Sequence, residues 1–510
     1  MNTYQGLRSA AYAVLAALAA AMFGGVALTG PAAADPPVAA GLQAFPDPSG
    51  VIATLNVNGR TDTSNPFFQS LGTNGRSCAT CHVTSQALSI SAADVRARFE
   101  QTHGRDPLFA PVDGANCPTN RLGGAAGHSL LLKSGLIRVG LAMPVGQFSI
   151  TVVHDPYGCA ISPDPNGQPI VSVYRRPLPT TNLSFLSTIM FDGRETISPL
   201  NSAPTFLPNL VADLTHQAAD ATTIHAQGVR PTDAQLADIV NFELGLFTAQ
   251  ARDHDAGLLS LRGAQGGPLY LANQDYYPGD NDSLGKDPTG EPFQPVAMTM
   301  FEPWSILSDA NNDGAGGDDA AAAARRNAAR RAIAAGEQLF NTAPVRITAV
   351  RGLNDNAALN SPGSFVGNCT TCHDTPNVGN HSFPLPLDIG TSHTPLPGME
   401  TDPAIAAGLA ELSMPDLPVY LISGCPDPFN SARPASFYTS DPGKALLTGQ
   451  CSDFNRIKGP ILRGLAARAP YFHNGAAATL SELVNFYNQR FKMGLTDEQK
   501  SDLVAFLNSL

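Results

Sequence analysis

The chain has 510 residues, enough for roughly two to four domains. Apolar residues make up 43% and charged residues 15%, and 47 Gly and 42 Pro indicate long irregular loops, which argues against a coiled coil or a simple helical bundle. With 31 Lys and Arg against 43 Asp and Glu, the formal net charge is -12, so the chain offers no general basic surface for nucleic-acid phosphates.

The first 34 residues have the pattern of a secretory signal peptide. They carry one charge, Arg8, followed by an apolar run from Ala10 to Leu28, and they end in small residues before Asp35. An uncleaved membrane anchor is the alternative for this segment. No later segment reaches the roughly 18 apolar residues needed to span a bilayer. We therefore expect a periplasmic protein that has lost residues 1–34 and has no membrane span after cleavage.

Two identical Cys-x-x-Cys-His motifs occupy residues 78–82 and 369–373. Two thiols at this spacing can bond to the vinyl groups of one haem, and the adjacent imidazole then becomes a ligand of its iron. The alternatives are a redox dithiol, half of a zinc site or a chance match, but zinc needs a second Cys or His pair nearby and a thioredoxin-type site lacks the trailing His. We predict two covalent c-type haems. The predicted attachment residues are Cys78, Cys81, Cys369 and Cys372, and the predicted iron ligands are His82 and His373.

Four further cysteines lie outside these motifs. An even number of cysteines in an exported chain favours disulfides. The most economical pairing is local, although spacing does not determine connectivity. It joins Cys117 to Cys159 and Cys425 to Cys451.

Amphipathic helices are predicted in both halves of the chain. They cover residues 232–247, 318–340, 480–487 and 496–507. The last begins with the capping-box pair Thr496 and Gln499. A helix, a haem-attachment turn and a closing helix describe a cytochrome c-like domain.

The fold expected from these elements is mainly α, with two cytochrome c-like helical haem domains, long irregular loops and insertions. The predicted boundaries are 1–34 for the signal peptide, 45–255 for the N-terminal haem domain, 256–324 for a linker or insertion, and 325–510 for the C-terminal haem domain. Residues 309–314 resemble the start of a calcium loop, but Ala320 stands where a bidentate Glu is needed. An ordinary solvated loop is favoured there, and calcium is kept as a candidate cofactor.

Four sequence strings resemble those of the bacterial dihaem cytochrome c peroxidase superfamily, which includes the methylamine dehydrogenase maturases. They are the two haem motifs, residues 175–185 leading to 191–194, and residues 459–480. The motifs are farther apart here than in the compact peroxidases, which indicates a large subfamily with insertions. The resemblance implies that the N-terminal haem meets peroxide and that the C-terminal haem accepts electrons.

The resemblance also implies a distal group that moves a proton during peroxide cleavage. The relatives use a Glu beyond a Gln-Ala pair, whereas here Gln217 and Ala218 are followed by His225 and Gln227 with no Glu in register. His225 and Gln227 are therefore the catalytic candidates, and the unperturbed pKa of His, near 6.5, suits this work. A surface His on a helix is the alternative for His225.

The sixth ligand of the C-terminal haem separates two branches of the superfamily. The peroxidases have Met shortly after the Tyr-x-His-x-Gly string, and the maturases have Tyr. The matching residue here is Tyr487, which could also be an ordinary core tyrosine. The rival ligands are Met399, Met414 and Met493. A tyrosinate ligand would lower the haem potential and favour maturase-like chemistry.

Several other residues receive structural predictions. Phe191 stands where the relatives have a Trp that relays charge between the haems, so fast hopping by this route is in doubt. The only Trp, Trp304, is expected to be a core residue. His103 and His128 are expected in exposed loops, with displaceable haem ligation as the alternative, and His473 is expected to support a haem rather than bind its iron.

The resulting expectation is a periplasmic dihaem oxidoreductase that reduces hydrogen peroxide. Electrons from a small redox protein, a cytochrome c or a cupredoxin, would enter at the haem on His373 and be used at the haem on His82. One alternative is a maturase-like enzyme that uses peroxide to oxidise a protein or organic substrate. The other is a dihaem electron carrier with no peroxide chemistry.

Overall fold

The computed structural model describes residues 41–118, 124–200, 202–308, 320–379, 385–394 and 401–510. The predicted signal peptide lies outside these residues, and so do residues 309–319 of the candidate calcium loop and the rival ligand Met399. None of the helices in the described ranges is long and apolar enough to cross a lipid bilayer.

The described residues form eleven α-helices and twelve β-strands. The helices are α1 (Ala92–Thr102), α2 (Gly124–Gly127), α3 (Ser129–Ser134), α4 (Ala203–Ile224), α5 (Asp233–Leu244), α6 (Pro268–Leu271), α7 (Ala320–Thr342), α8 (Pro403–Leu409), α9 (Ala445–Thr448), α10 (Leu480–Arg490) and α11 (Asp497–Asn508). The strands are β1 (Leu42–Asp47), β2 (Gly50–Asn56), β3 (Ile137–Ala142), β4 (Ser149–His154), β5 (Ile161–Pro163), β6 (Pro169–Arg175), β7 (Leu246–Asp253), β8 (Gly257–Leu258), β9 (Val345–Ile347), β10 (Phe365–Gly367), β11 (Val419–Ser423) and β12 (Ser436–Thr439).

The strands pair into four antiparallel sheets, with the orders β1-β2-β7-β8, β3-β6-β5, β12-β11-β4 and β10-β9. The third sheet joins β4, from the predicted N-terminal domain, to β11 and β12, from the predicted C-terminal domain. Residues of the two predicted domains therefore share a sheet.

The prediction of a mainly α fold is wrong. Helices hold 33% of the described residues and strands hold 17%. Much of the missed strand structure lies in β3, β4 and β6, which are rich in Val and Ile, residues that fit a half-buried pleated surface. Strands of six or seven residues give only a short periodic signal, and no strand is predicted in this region.

The predicted helices that flank the motifs are present, with one boundary corrected. Thr232 caps α5 in a reciprocal capping box, and Thr496 caps α11 in the same way. However, the predicted helix over residues 232–247 ends at Leu244, because Leu246 already begins β7 and pairs with β2. Tertiary pairing overrides the continuing apolar pattern at this point.

The largest hydrophobic cluster lies where α7 crosses α11. A Cβ atom on Gly336 would lie 2.0 Å from the carbonyl oxygen of Asp502, so a glycine is needed for the two helices to approach this closely. Trp304 is fully buried beside this crossing, and its Nε1 donates a hydrogen bond to the Leu261 carbonyl at 2.9 Å. Trp304 is thus a core residue, as predicted.

Candidate functional site

Each Cys-x-x-Cys-His motif begins in a short 3-10 helix held by a local hydrogen bond. In the first motif, the backbone N–H of Ser77 donates to the hydroxyl of Thr80 at 3.0 Å, and the N–H of His82 donates to the carbonyl of Cys78 at 3.0 Å. These bonds close the turn on itself. They fix the thiols and the imidazole relative to one another with few contributions from outside the motif.

The second motif repeats this geometry. The N–H of Asn368 donates to the Thr371 hydroxyl at 3.0 Å, and the N–H of His373 donates to the Cys369 carbonyl at 3.0 Å. In both motifs, the hydroxyl of the Thr directly before the second Cys, Thr80 or Thr371, accepts this hydrogen bond. Two segments far apart in the chain therefore present the same donor set in the same local conformation.

In both motif histidines, Nδ1 faces a backbone carbonyl oxygen, and the His82 ring also bonds to the Leu178 backbone. His82 Nδ1 lies 3.1 Å from the Leu88 carbonyl oxygen, and His373 Nδ1 lies 3.2 Å from the Val378 carbonyl oxygen. A proton on Nδ1 satisfies each carbonyl and leaves the lone pair of Nε2 for a metal. Burial lowers the pKa of both imidazoles to about 4, so both rings are neutral, which is the form that binds iron.

The cysteines divide into two groups. The four motif cysteines are free thiols, and the others form the two predicted disulfides, Cys117–Cys159 and Cys425–Cys451. Burial raises the pKa of Cys78 to about 12 and that of Cys81 to about 11. A redox-active dithiol needs a lowered thiol pKa, so this environment argues against that alternative.

Zinc binding is also disfavoured at the motifs. Within the described ranges, the cluster of Cys, His, Asp or Glu side chains that could hold a metal ion is Glu195, His216 and Asp220. It contains no motif residue. A zinc site would require further Cys or His ligands around one motif.

Each motif lines a large apolar cavity. The first cavity contains roughly 1420 Å³ of space not filled by atoms, including its solvent-open part, and the second contains roughly 1770 Å³. Beside the motifs, the walls are mainly aliphatic and aromatic; examples are Leu178, Leu214 and Ile239 in the first cavity and Phe340, Ile347 and Leu507 in the second. Paired free thiols, a neutral imidazole and an apolar cavity together fit a c-type haem at each motif.

The two cavities share a wall. It consists of residues 176–179, Phe191 and Lys458, all of which line both cavities. Phe191 is buried, and its ring centroid lies 6.1 Å from that of His473. The residue that stands in place of the relatives' Trp therefore lies directly between the two candidate haem sites.

His225 lies on the wall of the first cavity, directly after α4, with 32% of its side chain exposed. Its Nδ1 is hydrogen-bonded to the carboxylate of Asp113, which also forms an ion pair with Arg76. Burial alone would raise the pKa of Asp113, but the hydrogen bonds and charges of His225 and Arg76 lower it. An ionised Asp113 keeps the proton of His225 on Nδ1 and leaves Nε2 as a base.

Arg76 anchors this arrangement. It is buried, its Nε donates to the Pro107 carbonyl at 2.8 Å, and its Nη2 donates to the Leu108 carbonyl at 2.7 Å. The sequence analysis missed both Arg76 and Asp113. Arg76 lies just before the first motif, but no spacing rule connects it to a carboxylate 37 residues later.

Gln227 lies away from the first cavity, whereas Glu243 lies on its wall. Gln227 is exposed and has a positive φ of 53°, and it is absent from the described lining of the cavity. Glu243, which the sequence analysis did not single out, is buried on the first cavity wall, and its Oε2 has no hydrogen-bond partner among the described atoms. Burial raises the pKa of Glu243 to about 8, so this side chain is protonated at neutral pH.

Two candidate sixth ligands line the second cavity. Tyr487 stacks on Phe491 with 5.7 Å between ring centroids, and burial raises the pKa of its hydroxyl. Met493 lines the same cavity, whereas Met414 packs in a neighbouring cluster and is not among the described lining residues. Tyr487 and Met493 thus remain the two candidates within the described part of the chain.

A buried charge network joins the strings that carry the superfamily resemblance. Arg175 binds Asp441 through Nε at 2.7 Å and Nη2 at 2.9 Å, and its Nη1 binds Asp192 at 2.5 Å. Arg194 also reaches Asp192, at 3.1 Å. His473 Nε2 lies 3.7 Å from Asp441 on the side of the second cavity.

The other histidines follow the predictions in part. His103 is exposed at the end of α1, as expected. His128 is buried, with Nδ1 2.8 Å from the Gly114 carbonyl, so its predicted exposure is wrong. His473 is buried and lines the second cavity, which agrees with a supporting position beside a haem.

Comparison with known proteins gives partial matches of one kind. The chain is 36% identical over 98 residues to the cytochrome-c peroxidase IdrP2 of Denitromonas iodatirespirans, covering 18% of this chain and 25% of the relative. It is 33% identical over 84 residues to the cytochrome c551 peroxidase of Nitrosomonas europaea, covering 16% of this chain and 23% of the relative. The chain is related to the cytochrome-c peroxidases at the superfamily level.

The matched region is limited. It spans about a quarter of the length of the curated relatives. No protein-family profile matches the chain. The relatives therefore support a relation at the superfamily level. The activity of the whole protein has to be inferred from the residues of its own site.

Proposed function

We propose that this chain is a periplasmic dihaem c-type oxidoreductase that reduces hydrogen peroxide with electrons from a small redox protein, a cytochrome c or a cupredoxin. One haem is attached through the motif at residues 78–82 and the other through the motif at 369–373. The observation that carries the proposal is the His225–Asp113 pair on the wall of the first cavity. The partial matches to named cytochrome-c peroxidases support it.

The residues around the first cavity suit peroxide cleavage. Reduction of one hydrogen peroxide to two waters consumes two electrons and two protons. When bound, the haem supplies the iron site for peroxide and the route for electrons. His225 Nε2 accepts a proton from one peroxide oxygen and returns it to the departing oxygen, and Asp113 stabilises the imidazolium that exists between these transfers.

Haem content is the first test. Intact mass and haem staining of denaturing gels should detect the processed chain with two covalent haems. The double variant Cys78→Ala, Cys81→Ala should lose one haem and the reaction with peroxide, and it should retain the absorption spectrum of the second haem. One haem or none in the unmodified protein would contradict the proposal.

The second test concerns His225. His225→Ala should slow the reaction with peroxide by about 100- to 10,000-fold, the range for a lost acid–base group, without changing haem content. His216→Ala is the matched control, because His216 lies on α4, is 44% exposed and binds Glu195 outside the cavity. A rate in His225→Ala equal to that of the control would exclude His225 from the reaction.

Tyr487 favours a second candidate function. A Tyr on the second cavity wall matches the maturase-like branch, in which peroxide is used to oxidise a protein or organic substrate. An anionic oxygen ligand lowers the haem potential, so that haem should resist reduction by ascorbate. Ready reduction by ascorbate would favour Met493 as the ligand and the peroxidase function. A haem spectrum that does not respond to peroxide would favour the dihaem electron carrier.

A further inference from the structure

Three cationic side chains surround the second cavity without an acidic partner. Arg176 and Lys458 are buried in the shared wall, and Arg468 is half-buried beside it on the second cavity. Within the described part of the chain, no Asp or Glu contributes to the electrostatic environment of any of the three. We refer to Arg176, Lys458 and Arg468 as the wall cations.

The neighbouring Arg175 is also a buried cation, but carboxylates of this chain compensate its charge. Arg175 binds Asp441 through two nitrogens and Asp192 through a third, so two carboxylates flank one guanidinium. Arg176, one residue later, has backbone carbonyls as partners instead. Its Nη1 donates to the Gly135 carbonyl at 3.1 Å, and its Nη2 donates to the Arg468 carbonyl at 2.9 Å.

Lys458 and Arg468 have fewer hydrogen-bond acceptors than Arg176 has. Lys458 Nζ donates to the Thr188 carbonyl at 2.8 Å, which is the one acceptor found for its three N–H bonds in the described residues. Arg468 Nε is buried and has no partner among the described atoms. Carbonyl oxygens satisfy hydrogen bonds but carry no net charge, so the positive charge of the cluster stays uncompensated.

Burial lowers the pKa of all three wall cations. The pKa of Lys458 is lowered to about 7, and burial together with the nearby Arg468 lowers the pKa of Arg176 to about 9. Buried charges in proteins are ordinarily paired, because an unpaired charge loses its hydration without replacement. The wall cations therefore call for an anion that the described residues do not supply.

We propose that the wall cations bind the propionate carboxylates of the haems at the wall between the two cavities. The inference rests on the proposed function only in requiring haem in these cavities; it does not require peroxide chemistry. Each haem brings two carboxylates on an otherwise apolar ring. Lys458 and Arg176 border both cavities, so they can serve carboxylates from either haem, and Arg468 serves those of the second.

The test compares charge-removing and charge-keeping variants in the haem-loaded protein. Lys458→Met removes the ammonium and keeps the length of the side chain, and Lys458→Arg keeps the charge. Lys133→Met, on the exposed end of α3, is the control for loss of one cation elsewhere. Resonance Raman spectra report hydrogen bonding of the propionates through their bending modes, and potentiometric titration gives the midpoint potential of each haem.

Lys458→Met should shift a propionate bending mode toward the frequency of a free carboxylate and lower the midpoint potential of at least one haem. Lys458→Arg and Lys133→Met should leave both close to those of the unmodified protein. If Lys458→Met does not assemble, Arg468→Gln provides the same comparison for the second haem.

Three outcomes would overturn the inference. They are unchanged spectra and potentials in a charge-removing variant that holds two haems, an equal shift in the Lys133→Met control, and a shift that depends on the buffer anion, which would indicate a small inorganic ion instead of a propionate. Absence of covalent haem from the unmodified protein would instead contradict the proposed function, so the two failures are distinguishable.

Discussion

Replacement of Asp192 by Asn should lower the free energy of unfolding. Asp192 directly follows Phe191, which belongs to the wall between the cavities. Asp192 is fully buried and accepts hydrogen bonds from Arg175 at 2.5 Å and from Arg194 at 3.1 Å. Burial alone would raise its pKa, but the two guanidinium groups lower it from 3.8 to about 2. A lowering of this size corresponds to about 2 kcal/mol of stability at neutral pH.

A second consideration gives a similar magnitude. Removal of one partner from a buried ion pair costs about 3–5 kcal/mol, because the remaining charge is left without compensation. In Asp192→Asn, Arg175 keeps its two bonds to Asp441, so the loss should lie at the lower end, about 3 kcal/mol. The expected effect is therefore large relative to the marginal stability of most domains.

Urea unfolding followed by far-ultraviolet circular dichroism measures this loss. The midpoint for Asp192→Asn should fall with an unchanged slope, since the surface exposed on unfolding is the same. Asp497→Asn is the control, because Asp497 is 99% exposed and binds Lys500 at the surface. Equal midpoints for the Asp192 and Asp497 variants would refute a stabilising charge network at the wall.

The same reasoning gives a pH dependence. The folded-state pKa of Asp192 is depressed, so its contribution is fully present above the unfolded value of 3.8 and is lost as the pH falls toward about 2. The stability difference between the unmodified protein and Asp192→Asn should therefore shrink across this acidic range. A difference that stays constant would assign the effect of the variant to packing.

Three further variants test individual positions. Asp113→Asn should slow peroxide reduction by about 100- to 10,000-fold and alter its pH profile, with haem content unchanged, as measured by stopped-flow kinetics. The reason is that a neutral amide neither fixes the proton of His225 on Nδ1 nor stabilises the positive charge of its imidazolium. Tyr487→Phe should raise the midpoint potential and change the spectrum of the C-terminal haem if Tyr487 is its ligand, whereas Met493→Leu should do so if the sulfur is. Phe191→Trp should speed electron transfer between the haems, measured by flash photolysis, because an indole is easier to oxidise than a phenyl ring.

Features of this chain that depend on local sequence could be predicted from it. The turn of each Cys-x-x-Cys-His motif is closed by bonds between residues no more than four apart, and the capping box of Thr496 and Gln499 is equally local. The two disulfides were predicted correctly by pairing each remaining cysteine with the one nearest to it in the sequence.

Features that depend on tertiary pairing could not be predicted in the same way. Strand β4 finds its partner β11 about 270 residues later, and the six residues of β4 have no turn signal that points to it. Asp113 shows the same limit at the site. It reaches His225 only because α4 and the loop before α2 meet on one side of the cavity, and a lone Asp in a loop carries no sign of that meeting.

The shared wall brings residues of the superfamily strings together. Each Cys-x-x-Cys-His turn supplies the thiols and the imidazole of one candidate haem site, and other segments supply the walls of its cavity. The remaining strings supply Arg176 and Phe191, which line both cavities together with Lys458, and Arg468, which lines the second cavity. These residues separate the two candidate haem sites, and under the proposed function electrons would pass from one haem to the other across this wall. Substitutions in the wall should impair transfer between the haems while leaving haem attachment at each motif intact.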